Sequence, residues 1–198
     1  MADPATRIAT YADLEAVPDH LVAEILFGNL VTHPRPSPPH GVAATSLIAE
    51  IVPPFQKRRG GPGGWVFIVE PELHLGPHVI VPDLAGWKTE RLPHHPPTAF
   101  IETAPDWVCE LLSPSTENVD RGAKRRIYAA WKVPHMWLVD PVGRRLEAYE
   151  LSDGHWLLHD TYDGEVDVDA PPFAAVRRRS LPIDCAVAPC PRARRNVM

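Results

Sequence analysis

Two acids and one lysine stand in apolar segments of this sequence, where an ionised group is costly to bury. Asp83 lies in the run Val-Pro-Asp-Leu at 81–84, and Glu110 lies inside Trp-Val-Cys-Glu-Leu-Leu at 107–112. Lys124 follows in a segment whose apolar residues recur at helical spacing. A buried ionised carboxylate needs a counter-charge or a metal ion. These three side chains are therefore the first candidates for a chemical site.

The two acids could share a divalent cation if the segments that carry them are neighbouring strands. Hard cations prefer oxygen ligands, and Mg²⁺ commonly takes one or two carboxylates together with water and substrate phosphate. Asp83 and Glu110 would supply the carboxylates, and the backbone carbonyl of Leu111 is a natural third ligand. We therefore expect Mg²⁺ as the cofactor, with Mn²⁺ as a substitute.

Lys124 is predicted to lie at the centre of the inward face of a helix. At about 100° per residue, one face of that helix holds five residues, namely Asp120, Lys124, Ile127, Tyr128 and Trp131. Such a lysine either extends past its neighbours into solvent or stays buried beside a counter-charge, for which Asp83 and Glu110 are available. Two acids, a lysine and Mg²⁺ could together orient and deprotonate a water molecule beside a phosphodiester.

Two further polar residues leave alternatives open. Glu24 lies inside the apolar strand predicted at 22–27, either as a solvent-facing acid or as part of the site. His40 begins an apolar helical stripe, either as a capping or core-edge histidine or as a residue that supports the site. Ser113 and Ser115 do not stand in a Gly-x-Ser-x-Gly elbow, so a serine hydrolase is disfavoured and a loop that caps the next helix is preferred.

The order of predicted elements indicates a mixed α/β fold with one central sheet flanked by helices. A strand, a helix and a further strand over 106–140 require a parallel pair, whereas hairpins make the remaining pairs antiparallel. The predicted strands cover 22–27, 30–32, 65–69, 72–75, 79–87, 106–112, 135–140, 145–151 and 155–160. The predicted helices cover 10–17, 38 to about 52, where Pro53 and Pro54 stop the helix, and 117–132.

Composition sets the outer limits. A chain of 198 residues with 44% hydrophobic and 23% charged residues is expected to form a single domain, with its core over about 10–165 and a partly loose extension at 166–198. Three cysteines without a paired motif indicate a reducing cytoplasm, and neither a signal peptide nor a membrane span is predicted. The net charge of −5 argues against non-specific coating of nucleic acid, although metal ions could still neutralise an acidic nuclease site.

Several segments, taken in this order, resemble the Uma-two family of predicted bacterial endonucleases, within the restriction-endonuclease-like superfamily and its PD-(D/E)xK signature. They cover roughly 10–165 and are AEILFGNLV (23–31), PSPPHG (36–41), PDL (82–84), CELLSPST (109–116), DRGAKRRIY (120–128) and VPHMWLVDP (133–141). The resemblance implies a restriction-endonuclease-like mixed α/β core and DNA as the substrate.

The resemblance also assigns residues. Asp83 matches the first acid of the signature and Glu110 the second, while Leu112 stands where the superfamily signature has its lysine. A lysine on the next helix matches Lys124. Glu24 and His40 match polar positions near the family's site, and Tyr128 shares the face of Lys124 as a supporting residue. One departure follows the first strand, where members often have an acid and then glycine and this chain has Phe-Gly at 27–28.

Two functions remain in competition at this stage. The first is a Mg²⁺-dependent endonuclease that cleaves DNA as a homodimer, because superfamily enzymes that cut both strands commonly pair two sites. The second is a catalytically inactive protein that keeps the nuclease fold and binds nucleic acid or a protein partner. The apolar Leu112 and the acidic net charge favour the second.

Overall fold

The computed structural model describes residues 7–94, 96–164 and 166–173. Most of the predicted C-terminal extension, with Cys185 and Cys190, lies outside the described residues. The helices are α1 (Tyr11–Glu15), α2 (Pro38–Phe55), α3 (Glu117–Val119) and α4 (Arg125–Ala130), and a π-helical turn (Asp120–Lys124) joins the last two. The strands are β1 (Leu21–Leu26), β2 (Asn29–Pro34), β3 (Trp65–Val69), β4 (Glu72–Leu75), β5 (His78–Ile80), β6 (Leu84–Lys88), β7 (Phe100–Ile101), β8 (Trp107–Leu111), β9 (His135–Asp140), β10 (Arg145–Ser152) and β11 (His155–Asp163).

The strands form two mixed sheets, and helices flank them, which confirms the predicted α/β class. The six-stranded sheet has the order β11-β10-β9-β8-β6-β3, and the five-stranded sheet has the order β2-β1-β5-β4-β7. In the six-stranded sheet β8 and β9 run parallel because the helical segment α3–α4 carries the chain back between them. The sequence predicted one central sheet, and the five-stranded sheet is an addition to it.

The predicted strand over 79–87 is wrong, and its division explains the second sheet. β5 pairs with β1 and β4 in the five-stranded sheet, whereas β6 pairs with β3 and β8 in the six-stranded sheet. The chain crosses between the two sheets at 81–83. Pro82 has no N–H to donate to a ladder, so it suits a break in pairing. Asp83 therefore lies at the junction of the two sheets and not within a strand.

Helix α2 also departs from its predicted end, because it continues through Pro53 and Pro54 to Phe55. Each proline removes one helical N–H donor, but Pro54 and Phe55 are buried and so hold the last turn against the core. The N–H of Gln56 still donates to the carbonyl of Val52. Among the helices of 7–94, 96–164 and 166–173, none combines the length and hydropathy of a bilayer-spanning segment.

Strand β8 separates two hydrophobic cores because its side chains alternate between the faces of the six-stranded sheet. Trp107 and Leu111 point into the core beneath α2, while Val108 points into the core shared with α4 and the five-stranded sheet. Phe173 packs edge-on against Trp107 and Trp137, so the first core extends past the predicted limit near residue 165. Glu110 points into the second core, and that placement positions the site.

Candidate active site

Asp83 is fixed at the junction of the two sheets by two hydrogen bonds. Leu84 pairs with Cys109 in the β6–β8 ladder, which brings the preceding residue, Asp83, beside Glu110. Asp83 Oδ2 accepts a hydrogen bond of 2.6 Å from the backbone N–H of Leu111. Its Oδ1 lies 2.7 Å from Nε2 of His40. The sequence expectation that Asp83 and Glu110 come together is met, although Asp83 reaches this position from a crossing segment.

Glu110 is buried, with 1% of its surface exposed, and both of its oxygens have partners. The hydroxyl of Tyr128 donates to Oε1 at 2.5 Å. Nζ of Lys124 donates to Oε2 at 3.3 Å. Both partners come from the helical segment that follows β8. Lys124 and Tyr128 can reach the same acid because residues four apart lie on the same side of a helix. The predicted inward face thus supplies a cation and a hydroxyl to one acid.

Lys124 stays buried, with 3% of its surface exposed, so the alternative in which it extends into solvent is wrong. Besides Glu110, its Nζ lies 3.1 Å from Oε1 of Glu24 and 3.3 Å from Oδ1 of Asp120. It also donates to the carbonyl of Val81 at 3.2 Å. One ammonium group therefore faces three carboxylates, which come from β1, β8 and the π-helical turn.

Glu24 is fully buried, so the solvent-facing alternative for this residue is wrong. Its Oε1 accepts a hydrogen bond of 2.8 Å from the N–H of Val81, in the segment that crosses between the sheets. Its Oε2 lies 3.7 Å from Nε2 of His33. Sequence reasoning missed His33. The β1–β2 hairpin offered a signal, because Glu24 pairs with Val31 and His33 is then its diagonal neighbour on the same face.

Asp120 is a second residue that sequence reasoning left out of the site. It was placed on the inward face, and the structure buries it to 2% exposure beside Lys124. Both residues belong to the π-helical turn, a feature that is frequent at functional sites. A π turn winds more residues per turn, so the spacing of about 100° fails beyond it. Trp131, expected on the same face, is 38% exposed and lies over Gly76 instead.

Burial and crowding of like charges dominate the electrostatics of this cluster. Burial raises the pKa of Glu110 well above its usual range, and the charge of Lys124 offsets this only in part. Burial likewise raises the pKa of Asp120. For Glu24 burial acts in the same direction, but Lys124, His33 and the Val81 N–H outweigh it and lower the pKa. The cluster therefore holds more acids than its single lysine can neutralise.

The two basic groups near Asp83 keep their protons more strongly than usual. Burial would lower the pKa of Lys124, but Glu110, Glu24 and Asp120 outweigh it and raise that pKa well above its usual range. The same balance raises the pKa of His40, because its hydrogen bond and charge interaction with Asp83 exceed the cost of burial. His40 thus contacts Asp83, the contact that a supporting role would need.

A cavity of about 290 Å³ opens over these side chains. Its walls include the carboxylates of Asp83, Glu110 and Asp120, the ammonium of Lys124, and a loop with three hydroxyl groups, those of Ser113, Ser115 and Thr116. The Ser113 hydroxyl lies 2.9 Å from that of Ser115 and 3.0 Å from that of Thr116. The Ser113 carbonyl accepts the N–H of Glu117 at the start of α3, but Thr116 at the N-cap makes no side-chain capping bond, so the predicted loop forms without the predicted cap.

The residues at the cavity suit a hard divalent cation by their chemistry. Each carboxylate oxygen of Asp83 and Glu110 uses one lone pair in the contacts above and keeps another. The surplus of acids over Lys124 favours an added positive charge. Leu111 directly follows Glu110, and its N–H donates to Asp83, so it contacts one acid and adjoins the other. Within the described residues, no three His, Cys, Asp or Glu side chains stand in a ready coordination geometry.

Leu112 takes no part in the site, although the superfamily signature has a lysine at this place. Its side chain is 6% exposed and packs in the core shared with α4. Its N–H donates to the carbonyl of Val139 on β9. Lys124 is therefore the lysine that reaches Glu110.

A model of the Uma2 family, described as "Putative restriction endonuclease", matches residues 8–183. The chain belongs to this family. The match confirms the resemblance drawn from the sequence segments. Within the Uma2 fold, this chain carries its candidate acids at the junction of the two sheets and its lysine on the following helix.

A solved structure gives the same fold. It is described as a putative nuclease belonging to DUF820 from Anabaena variabilis, and it is 23% identical to this Uma2 chain with a TM-score of 0.64. The likeness covers 87% of this chain and 95% of that one. No curated protein matches the chain. The comparison therefore shows that this chain and the solved structure share one fold.

Proposed function

We propose that this Uma2 protein is a Mg²⁺-dependent endonuclease that hydrolyses phosphodiester bonds of DNA at the cavity lined by Asp83, Glu110 and Lys124. One observation carries the proposal: Nζ of Lys124 lies 3.3 Å from Oε2 of Glu110, while Leu112 occupies the signature position with an apolar side chain. The helix thus supplies the cation that the strand lacks. Membership of a family described as restriction endonucleases supports the same activity.

Asp83, Glu110 and the carbonyl of Leu111 would hold the Mg²⁺ ion, and Mn²⁺ would substitute for it. The ion would neutralise charge on the scissile phosphate and make a bound water more acidic. The oxygen ligands and the surplus of negative charge fit this role.

The remaining side chains position those groups. Lys124 points its ammonium at Glu110 and would orient the attacking water in the cavity by exchanging one of its present acceptors for that water. Glu24 holds Lys124 from the side of the five-stranded sheet. Tyr128 fixes Glu110 through Oε1, and His40 fixes Asp83 through Oδ1, so each acid keeps one orientation.

The direct test is nicking of a supercoiled plasmid by the purified protein in Mg²⁺, in Mn²⁺ and in EDTA. We expect cleavage with either metal and none in EDTA. The control is Ser115→Ala, which alters the cavity rim without touching an acid or the lysine. Cleavage that persists in EDTA would exclude the metal-dependent mechanism. Binding of DNA without cleavage under all conditions would instead favour the inactive nuclease-fold protein, which Leu112 and the net charge of −5 support.

We also propose a homodimer in the cytoplasm. Four of the six tryptophans, Trp65, Trp87, Trp107 and Trp137, are buried in the cores and so leave little apolar surface of their own. The edge strand β11 exposes Leu157 and Leu158 instead, at 56% and 53%. An unprotected edge strand with apolar side chains favours pairing with another chain. Sedimentation at micromolar concentration should give twice the chain mass of 22.0 kDa, and a monomer would contradict the dimer.

A further inference from the structure

Phe27 occupies a backbone conformation that a large aromatic residue adopts only at a cost. Leu26 pairs with Asn29, so Phe27 and Gly28 form a two-residue hairpin turn, with φ angles of 52° and 78°. This turn type needs positive φ at both positions and favours Asn-Gly or Asp-Gly. For a bulky residue the left-handed region is a genuine outlier, and such strain is characteristic of functional positions.

A second hairpin in the same chain has a favoured residue at the position that corresponds to Phe27. Strands β10 and β11 are joined by Asp153-Gly154, with φ angles of 49° and 78°. The two turns therefore have the same backbone geometry but differ in their first residue. Asp153 is a favoured residue for this turn, whereas Phe27 is not. Turn formation accordingly does not explain the ring at position 27.

The Phe27 ring is presented on the surface together with a cation. Phe27 is 46% exposed, and the guanidinium of Arg126 lies over its ring at 4.6 Å from the centroid. The ring of His78 meets it edge-on at 5.0 Å, and Nδ1 of His78 accepts the N–H of Phe27 at 3.2 Å. These contacts fix the orientation of the ring while leaving part of it open to solvent.

Arg126 itself is exposed and makes no ion pair within 7–94, 96–164 and 166–173. The two other arginines of this helical segment have partners. Arg121 pairs with Glu117 and Glu147, and Arg125 lies over the ring of Tyr149. A planar guanidinium without a carboxylate partner can contact a phosphate or stack on a base. An aromatic ring beside such a cation is the combination by which proteins bind single nucleic-acid strands.

We propose that Phe27 and Arg126 form a stacking platform for an unpaired base of the nucleic acid, with Arg126 contacting the adjacent phosphate. Phe27 directly follows the last residue of β1 and stands three residues after Glu24, the buried partner of Lys124, a spacing of about 10 Å at the rise of an extended strand. This inference rests on the proposed function, because it assigns part of the substrate's path to a surface outside the cavity. It commits to an unpaired or single-stranded region, since only a splayed base presents its face to a protein ring.

The test measures binding apart from cleavage, by fluorescence anisotropy of a labelled single-stranded DNA oligonucleotide in EDTA. Phe27→Asn should weaken binding about tenfold, within the range for loss of one stacked base. Phe27→Tyr keeps the ring and should stay within about twofold of wild type. Arg126→Gln should also weaken binding and reduce its salt dependence. The matched control Val142→Asn removes another exposed apolar side chain, in the turn between β9 and β10, and should leave the affinity unchanged.

Two further measurements separate the platform from a structural role. Asn accepts the left-handed conformation, so Phe27→Asn should match or exceed the wild-type Tm despite its weaker binding. An abasic strand of equal length should bind wild type and Phe27→Asn equally, because it offers phosphates but no bases.

Each failure has its own signature. Equal affinity of wild type and Phe27→Asn for the normal strand would overturn the platform and leave the nuclease proposal standing. A wild type that binds neither single-stranded nor duplex DNA would overturn both. A fall in sedimenting mass in Phe27→Asn with unchanged DNA affinity would overturn the platform and assign this surface to self-association.

Discussion

Nζ of Lys124 lies 3.3 Å from Oε2 of Glu110, although fourteen residues separate them and they belong to different elements. The crossover from β8 into the helical segment returns Lys124 over the strand that holds Glu110. In the superfamily signature the lysine stands two residues after the acid, on the same strand. Here a lysine on the following helix lies beside the acid, and substitution of Lys124 tests whether it performs the same task.

Lys124→Ala should lower the rate of plasmid nicking on the order of 10²-fold or more, the range for a group that positions or activates a reacting water. It should also destabilise the metal-free fold by about 3 kcal/mol, because three buried carboxylates lose their counter-charge. Nicking rates and urea unfolding provide the two measurements. Arg125→Ala is the control, since Arg125 lies over Tyr149 and should cost little beyond weaker DNA binding. Equal cleavage by wild type and Lys124→Ala would refute the role of Lys124.

Moving the lysine from position 124 to position 112 tests whether a lysine at either position can orient the same attacking water. In Leu112→Lys with Lys124→Ala, part of the activity lost in Lys124→Ala should return, because residue 112 follows Glu110 on the same strand face. Leu112 is buried among apolar side chains, so the double variant must first be shown to be folded by its circular dichroism spectrum. Leu112→Met with Lys124→Ala is the matched control and should regain nothing. A folded double variant with no recovered activity would argue against a shared water.

Divalent metal should bind at Asp83 and Glu110, and titration calorimetry with Mg²⁺ and Mn²⁺ checks this. Asp83→Asn and Glu110→Gln each remove one charged oxygen ligand and should abolish the binding signal. Glu117→Gln serves as a control, because its exposed side chain pairs with Arg121 and does not line the cavity. Unchanged binding in both site variants would exclude this metal assignment.

The Arg121–Glu147 pair should make stability depend on pH in the acid range. Hydrogen bonds from Arg121, at 2.7 Å and 2.9 Å, hold the pKa of Glu147 below its usual range. Since the folded pKa is the lower one, the stabilisation is complete above the unfolded pKa and is lost as the pH falls through the folded pKa. Glu147→Gln should therefore cost about 1 kcal/mol at pH 7 and progressively less as the pH falls through the folded pKa of Glu147. Urea unfolding across this pH range measures the difference.

The exposed acid Glu102 provides the comparison for that experiment. Glu102→Gln should leave the free energy of unfolding unchanged across the same pH range. A cost of Glu147→Gln that is equal at both ends of the range would mean that the side chain acts through packing and not through its charge.

Local pattern in the sequence determined which side chains face inward. The apolar run around Glu110 predicted a strand buried on both faces, and helical spacing predicted that Lys124 and Tyr128 point at it. Both predictions hold because alternation in a strand and the 3.6-residue helical repeat depend on the backbone alone. The parallel pairing of β8 and β9 followed from the strand–helix–strand order for the same reason.

The tertiary structure decided the distance between Glu110 on its strand and Lys124 on its helix, and which other side chains lie beside them. Pro82 indicates a break in strand pairing at 81–83, but the crossing between two sheets depends on which distant strands compete for pairing. Asp120 shares its predicted helical face with Lys124, and burial of that face brings it into the cluster, whereas His33 enters from the second sheet. The sequence supplies the acids and the lysine, but only long-range packing removes water from around them and sets which acid pairs with the lysine.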